Sequence, residues 1–184
     1  METTRIYVEL LIIGVESSVW LFFLSSYFIS SEKVMEFISH FDSTPFAVIF
    51  IGILYIIGLI FDRFSDTLLK CLERKIRSDS KLEADAVLNL PLDEKQHIFL
   101  VYTRSRIRLL RSTVVNTLFI FISLMFFLNK LNVKFSVIVT AVFIGLFIFA
   151  LSIYSLINTL KTFYCTSRKI EIKINTVTME RTDK

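Results

Sequence analysis

The sequence predicts an all-α integral membrane protein with four transmembrane helices, cytoplasmic helical extensions and a C-terminal β-strand that pairs between chains. Three observations carry this. Four apolar stretches, at about 7–28, 43–61, 112–129 and 135–160, are each close to one bilayer long. A helix rising about 1.5 Å per residue needs roughly 20 apolar residues to cross a hydrocarbon core about 30 Å thick. The composition agrees, since 54% hydrophobic residues, 19 Phe and a mean hydropathy of +0.63 are too apolar for a soluble chain of 184 residues. Finally, the 21 Lys and Arg are unevenly placed: 11 lie in 62–111, six follow Leu160, and Arg5 precedes the first span. The two remaining loops hold only Lys33, Lys130 and Lys134. By the positive-inside bias, this puts both termini and the long middle segment in the cytoplasm.

The first span is read as retained, because the apolar run after Arg5 is too long for a signal-peptide core and lacks a small-residue cleavage site. It carries Glu9 near the cytoplasmic interface and, seven residues on, Glu16 near mid-membrane on the same helix face. A carboxylate there costs a few kcal/mol and normally faces a bundle interior or water. Two readings stay open: a pore, ion or proton site, or a protonated Glu16 hydrogen-bonded to a neighbour such as Tyr55 or Ser123 at similar depth. The first outer loop repeats Val34, Phe37, Ile38 and Phe41 at helical spacing, which predicts a short amphipathic helix at the outer surface.

After the second span, Asp62, Arg63, Asp66, Leu68, Leu69, Leu72 and Ile76 keep helical periodicity to about Arg77. That helix therefore projects below the membrane. Residues 78–89 read as a turn region, and Pro91 followed by Asp93 and Glu94 is a good helix start leading into the third span. The loop from Lys130 to Lys134 is short enough to force a tight hairpin between the last two spans. With only four Gly and two Pro, the spans should be continuous, which argues against a transporter built on broken helices.

Just before the third span, Arg104, Arg108 and Arg111 fall at i, i+4 and i+7, with Arg106 between them, while Asp62 and Asp66 lie at similar depth. Helix-end salt bridges among Asp62, Arg63, Asp66 and these arginines, with lipid-headgroup contacts, account for the pattern. An anion site for a nucleotide, nucleic acid or acidic protein is the other reading. Direct nucleic-acid binding stays open, although only Tyr102 stands nearby for base stacking. Asn116, Ser152, Ser155 and Asn158 form a polar seam toward the cytoplasmic leaflet, expected to act as interhelical hydrogen-bond glue or, less simply, a pore lining.

The chain changes character at 169–178, where Ile170, Ile172 and Ile174 alternate with polar residues. This predicts a strand with one apolar face. A lone strand leaves its backbone groups unpaired, so it needs the same tail of a neighbouring subunit or an edge strand of another protein. A disordered tail is the alternative. Cys71 and Cys165 read as reduced cytoplasmic thiols. His40 and His97 fall on opposite sides of the membrane, so neither a metal nor a cofactor is expected. No Gly-rich phosphate loop, HExxH, GxSxG, Ser/His/Asp set or Arg-x4-His nuclease spacing is present, and the chain is not expected to be an enzyme.

In length, in the four spans with both termini inside, in the basic segment from Arg104 to Arg111 and in the C-terminal alternation, the chain resembles a class of small membrane subunits. These are encoded in bacterial anti-phage defence operons, and the nearest is the membrane component of the Kiwa system. The resemblance implies a homo-oligomer, taken as a tetramer, in the bacterial inner membrane. It implies a sensor of envelope disturbance working with a soluble cytoplasmic, DNA-associated partner, in contact with membrane lipid. A channel-type effector, with Glu9 and Glu16 lining a central path, is the competing expectation.

Overall fold

The computed structural model describes residues 2–29, 31–39, 44–79 and 94–182. Five helices follow in order: α1 (Glu2–Phe28), α2 (Ser31–Ser39), α3 (Thr44–Asp79), α4 (Glu94–Lys130) and α5 (Phe135–Thr182). Four of them, all but α2, are long and apolar enough to cross a membrane. Large apolar side chains point outward along these helices, among them Phe143, Ile144 and Phe147 of α5 and Val48, Ile51 and Ile56 of α3. Such surfaces suit a lipid solvent and not water.

α1 and α4 form the centre. Their contacts advance together, from Arg5 against Tyr102 to Ser26 against Lys130, so the two helices run parallel. α3 flanks α1 and α5 flanks α4. Two glycines set the α1–α3 contact. A Cβ on Gly14 would strike the Leu54 carbonyl, and one on Gly58 would strike the Leu10 carbonyl, so each helix backbone rests on a residue without a side chain. Close backbone approach through small residues is how helices pack in lipid, where apolar attraction between them is absent. Beyond it, Trp20, Phe61 and Phe119 bring α1, α3 and α4 together with ring centroids 5.2–5.7 Å apart.

α4 and α5 are joined by residues 131–134 and pack as an antiparallel hairpin. Asn132 takes a positive φ of 49°, a conformation Asn tolerates, and its amide donates to the Asn129 carbonyl at 3.2 Å. The Lys134 carbonyl then accepts from Val137 at 2.9 Å and starts α5. The seam between the hairpin helices repeats every seven residues: Leu100, Ile107 and Val114 on α4 meet Leu156, Leu160 and Phe163 on α5, with Leu69, Leu72 and Ile76 of α3 packed alongside. Most of this core lies past the ends of the apolar stretches. Three helices thus continue beyond their spans as a packed stalk.

The C-terminal segment departs from the sequence expectation. Residues 169–182 are the last turns of α5, and the described residues contain no strand. The alternation of Ile170, Ile172 and Ile174 competes with a second pattern in the same stretch. Leu156, Leu160, Phe163, Ser167 and Ile170 are spaced 4, 3, 4 and 3 and are all buried, whereas Ile172 is 56% exposed. A helix already nucleated by the span extends at one hydrogen bond per residue, while a lone strand leaves its backbone unpaired. α5 therefore carries its heptad register to Ile170 and its helical backbone to Thr182, in place of the expected inter-chain strand. The expected outer helix corresponds to α2, with Phe41 outside the described residues, as are the turn region from 80 to 89 and Pro91 and Asp93.

Candidate functional site: the polar joint between α1 and α4

Two acids on one face of α1 meet α4 at two levels. At the lower level, Glu9 is buried, with 5% of its surface exposed. Its Oε1 accepts from Arg5 Nε at 3.1 Å, one turn back on α1, and from the Ser105 hydroxyl of α4. Arg108 Nη1 stands 3.6 Å from Glu9 Oε2 and Arg108 Nε 4.0 Å from Asp62 Oδ1, so one guanidinium links α1, α3 and α4. Arg5 also donates to the Tyr102 carbonyl at 3.3 Å and lies over the Tyr102 ring.

At the upper level, Glu16 accepts from the Thr113 hydroxyl at 2.9 and 3.2 Å and from Asn116 Nδ2 at 3.3 Å. The same Asn116, 1% exposed, accepts at Oδ1 from Ser17 Oγ at 3.0 Å and Trp20 Nε1 at 3.3 Å. It also donates to the Ile13 carbonyl at 3.5 Å. An amide is suited to this position because it offers two donors and an acceptor at once. Glu16 is thus held by Thr113 and Asn116, not by Tyr55 or Ser123. Tyr55 stacks on Tyr7, and the Ser123 hydroxyl donates to its own helix at Ile120. The partner lies ten residues before Ser123 along α4, about 15 Å by helix rise.

The predicted basic stripe divides among four surroundings. Arg108 joins the Glu9 level, and Arg111 pairs with Asp66 and, at 2.9 Å, with Glu73 Oε2. Glu73 Oε1 accepts from the Tyr164 hydroxyl at 2.7 Å, which fastens α3, α4 and α5 into the stalk. Arg104 lies 6.0 Å from the Phe163 ring centroid, and Arg106 turns to Tyr102 on another face. Asp62 and Asp66 thus each stand beside an arginine of α4. Arg63 is exposed, and its carbonyl accepts from Thr67.

The polar seam is two features and not one. Asn116 is buried between α1 and α4, while Asn158 is exposed on α5 and shares a groove with Ser155, Thr103 and Arg106. Glu73, Tyr164 and Thr113 were missed because none stands out from its neighbours in charge or spacing. Lys130 was counted only as a loop charge. Its ammonium donates to the carbonyls of Ser26, Tyr27 and Ile29 at 2.9, 2.7 and 3.2 Å, closing the C-terminus of α1. A cation at that end satisfies free carbonyls and the helix dipole. Lys130→Met should cost about 1 kcal/mol, read as an earlier midpoint in a detergent unfolding titration; an unchanged midpoint would show the cap to be idle.

No family model, no curated protein and no solved structure matches this chain.

Proposed function

We propose that this protein is a membrane scaffold and sensor. It sits in the bacterial inner membrane with both termini in the cytoplasm, assembles as a homo-oligomer, and couples an envelope disturbance to a soluble cytoplasmic effector, in the setting of anti-phage defence. The observation that carries the scaffold reading is the stalk. α3, α4 and α5 continue past their apolar stretches and share a core built from Leu72, Leu100, Ile107, Leu160 and Phe163. α5, at 48 residues, spans about 72 Å against a core of about 30 Å. With α3 and α4 at 36 and 37 residues, about 55 Å each, the bundle joins events at the membrane to a surface outside it. The defence setting and the effector come from the resemblance in architecture.

The arrangement of the acids gives the channel reading less support. Glu9 and Glu16 are both committed within one protomer, to Arg5, Ser105 and Arg108 and to Thr113 and Asn116. Side chains tied in this way act as interhelical fastenings. The full chain in liposomes loaded with an ion-sensitive dye should pass no more ions than empty liposomes. Ion flux that disappears in Glu16→Gln would overturn the scaffold reading in favour of a channel.

The orientation has its own test. Cys71 and Cys165 are both exposed, on the basic extensions of α3 and α5. In intact cells a membrane-impermeant maleimide should leave both unlabelled until the membrane is opened. In a background lacking both cysteines, Asn132→Cys should label from outside. Labelling of the native pair in sealed cells would invert the topology.

A further inference from the structure

Beside the Glu9 level, α1 and α4 leave a cavity of about 590 Å³ between them. Its charged lining is Arg5, Arg104, Arg108 and Glu9, with His97 at one end. Ile6, Ile98 and Val101 supply apolar wall. The charges do not cancel. Glu9 takes Arg5 and Arg108, and Asp62 shares Arg108, but among the described residues no carboxylate pairs with Arg104. Three guanidiniums line the cavity against one carboxylate, Glu9, and this excess of positive charge suits a phosphodiester monoanion. Guanidinium forks suit phosphate oxygens geometrically as well as electrically.

The level of the cavity fixes the source of that phosphate. It opens where α1 turns apolar after Arg5, and on α4 it ends at Arg108, just before the apolar run from Ser112. This is the depth of lipid headgroups, and basic pockets between spans at such a boundary take anionic phospholipids. We propose that the Arg5–Arg104–Arg108 cavity binds the headgroup of an anionic phospholipid, with Arg104 as the cation that no described carboxylate neutralises and the apolar wall receiving the glycerol end of the acyl chains. The site stands independently of the effector-docking role.

The test uses the full chain in neutral detergent, with phosphatidylglycerol and phosphatidylcholine of identical acyl chains, and native mass spectrometry to count retained lipid. Phosphatidylglycerol should be retained at least fivefold over phosphatidylcholine. Arg104→Gln should lower that retention at least fivefold. The matched control is Arg106→Gln, which removes the same charge from the same helix two residues away but does not line this cavity, lying instead over the Tyr102 ring; it should change retention less than twofold. Equal losses in the two variants would mean a diffuse basic surface and overturn the site, as would equal retention of the two lipids. Glycerol phosphate binding as tightly as the lipid would assign the cavity to a soluble phosphate and overturn the lipid.

Discussion

Gly58→Ala is expected to destabilise the helical bundle by about 3 kcal/mol, while Gly52→Ala, six residues away on the same helix, should be neutral or stabilising by about 0.5 kcal/mol. In a helix interior, Gly to Ala ordinarily gains stability by restricting the unfolded backbone. Gly52 meets nothing within 4 Å of an added Cβ, so only that gain applies. At Gly58 the added methyl meets the Leu10 carbonyl, and at Gly14 it meets Leu54. Both obstacles are backbone, which cannot rotate aside as a side chain can. α1 and α3 would have to separate, loosening the Tyr7–Tyr55 and Trp20–Phe61 contacts on either side. Unfolding midpoints of the two variants in one detergent series measure the difference. Equal effects at Gly52 and Gly58 would show that the helices are not held at backbone contact.

Asn116→Leu should have the next largest effect, about 2 kcal/mol or more, with Glu16→Gln costing under about 1 kcal/mol. Interhelical hydrogen bonds in membranes contribute about 0.6 to 1.7 kcal/mol each. Asn116 takes part in bonds with Glu16, Ser17, Trp20 and Ile13. Leucine fills similar space but leaves the Trp20 N–H without its acceptor and removes one donor to Glu16. The side chain of Glu16 differs in what it needs. A glutamine there keeps one acceptor oxygen, which at the Oε2 position can still serve both Thr113 and Asn116, and exchanges the other oxygen for an amide donor. Stability measured beside the liposome flux assay separates the two roles. If Glu16→Gln proved the more damaging of the two, the carboxylate charge itself would be required, and the joint would not be a simple fastening.

The apolar spans and the helical extensions were legible because each depends on a local property summed along one helix. Lipid as solvent selects long apolar runs directly, and the Leu69, Leu72 and Ile76 spacing continues α3 without reference to any neighbour. Asp62 and Asp66 could be matched to arginines from charge and approximate depth alone. The tail shows where local pattern fails. Ile170, Ile172 and Ile174 satisfy a period of two, but Leu156, Leu160 and Phe163 satisfy the seam with α4, Ile170 is buried one heptad beyond Phe163, and helix extension from the span decides between the two patterns.

What the sequence by itself determined is therefore the number of spans, their approximate ends and the concentration of basic charge beyond them. The tertiary structure alone decided register: that Glu16 meets Thr113 and Asn116 rather than Ser123, that Gly14 and Gly58 are contact points while Gly52 is not, and that Lys130 closes α1. Hydropathy is nearly unchanged when one apolar helix slides past another by a turn or two. Hydrogen-bond partners and backbone collisions change completely over that distance, and they are what fix the position.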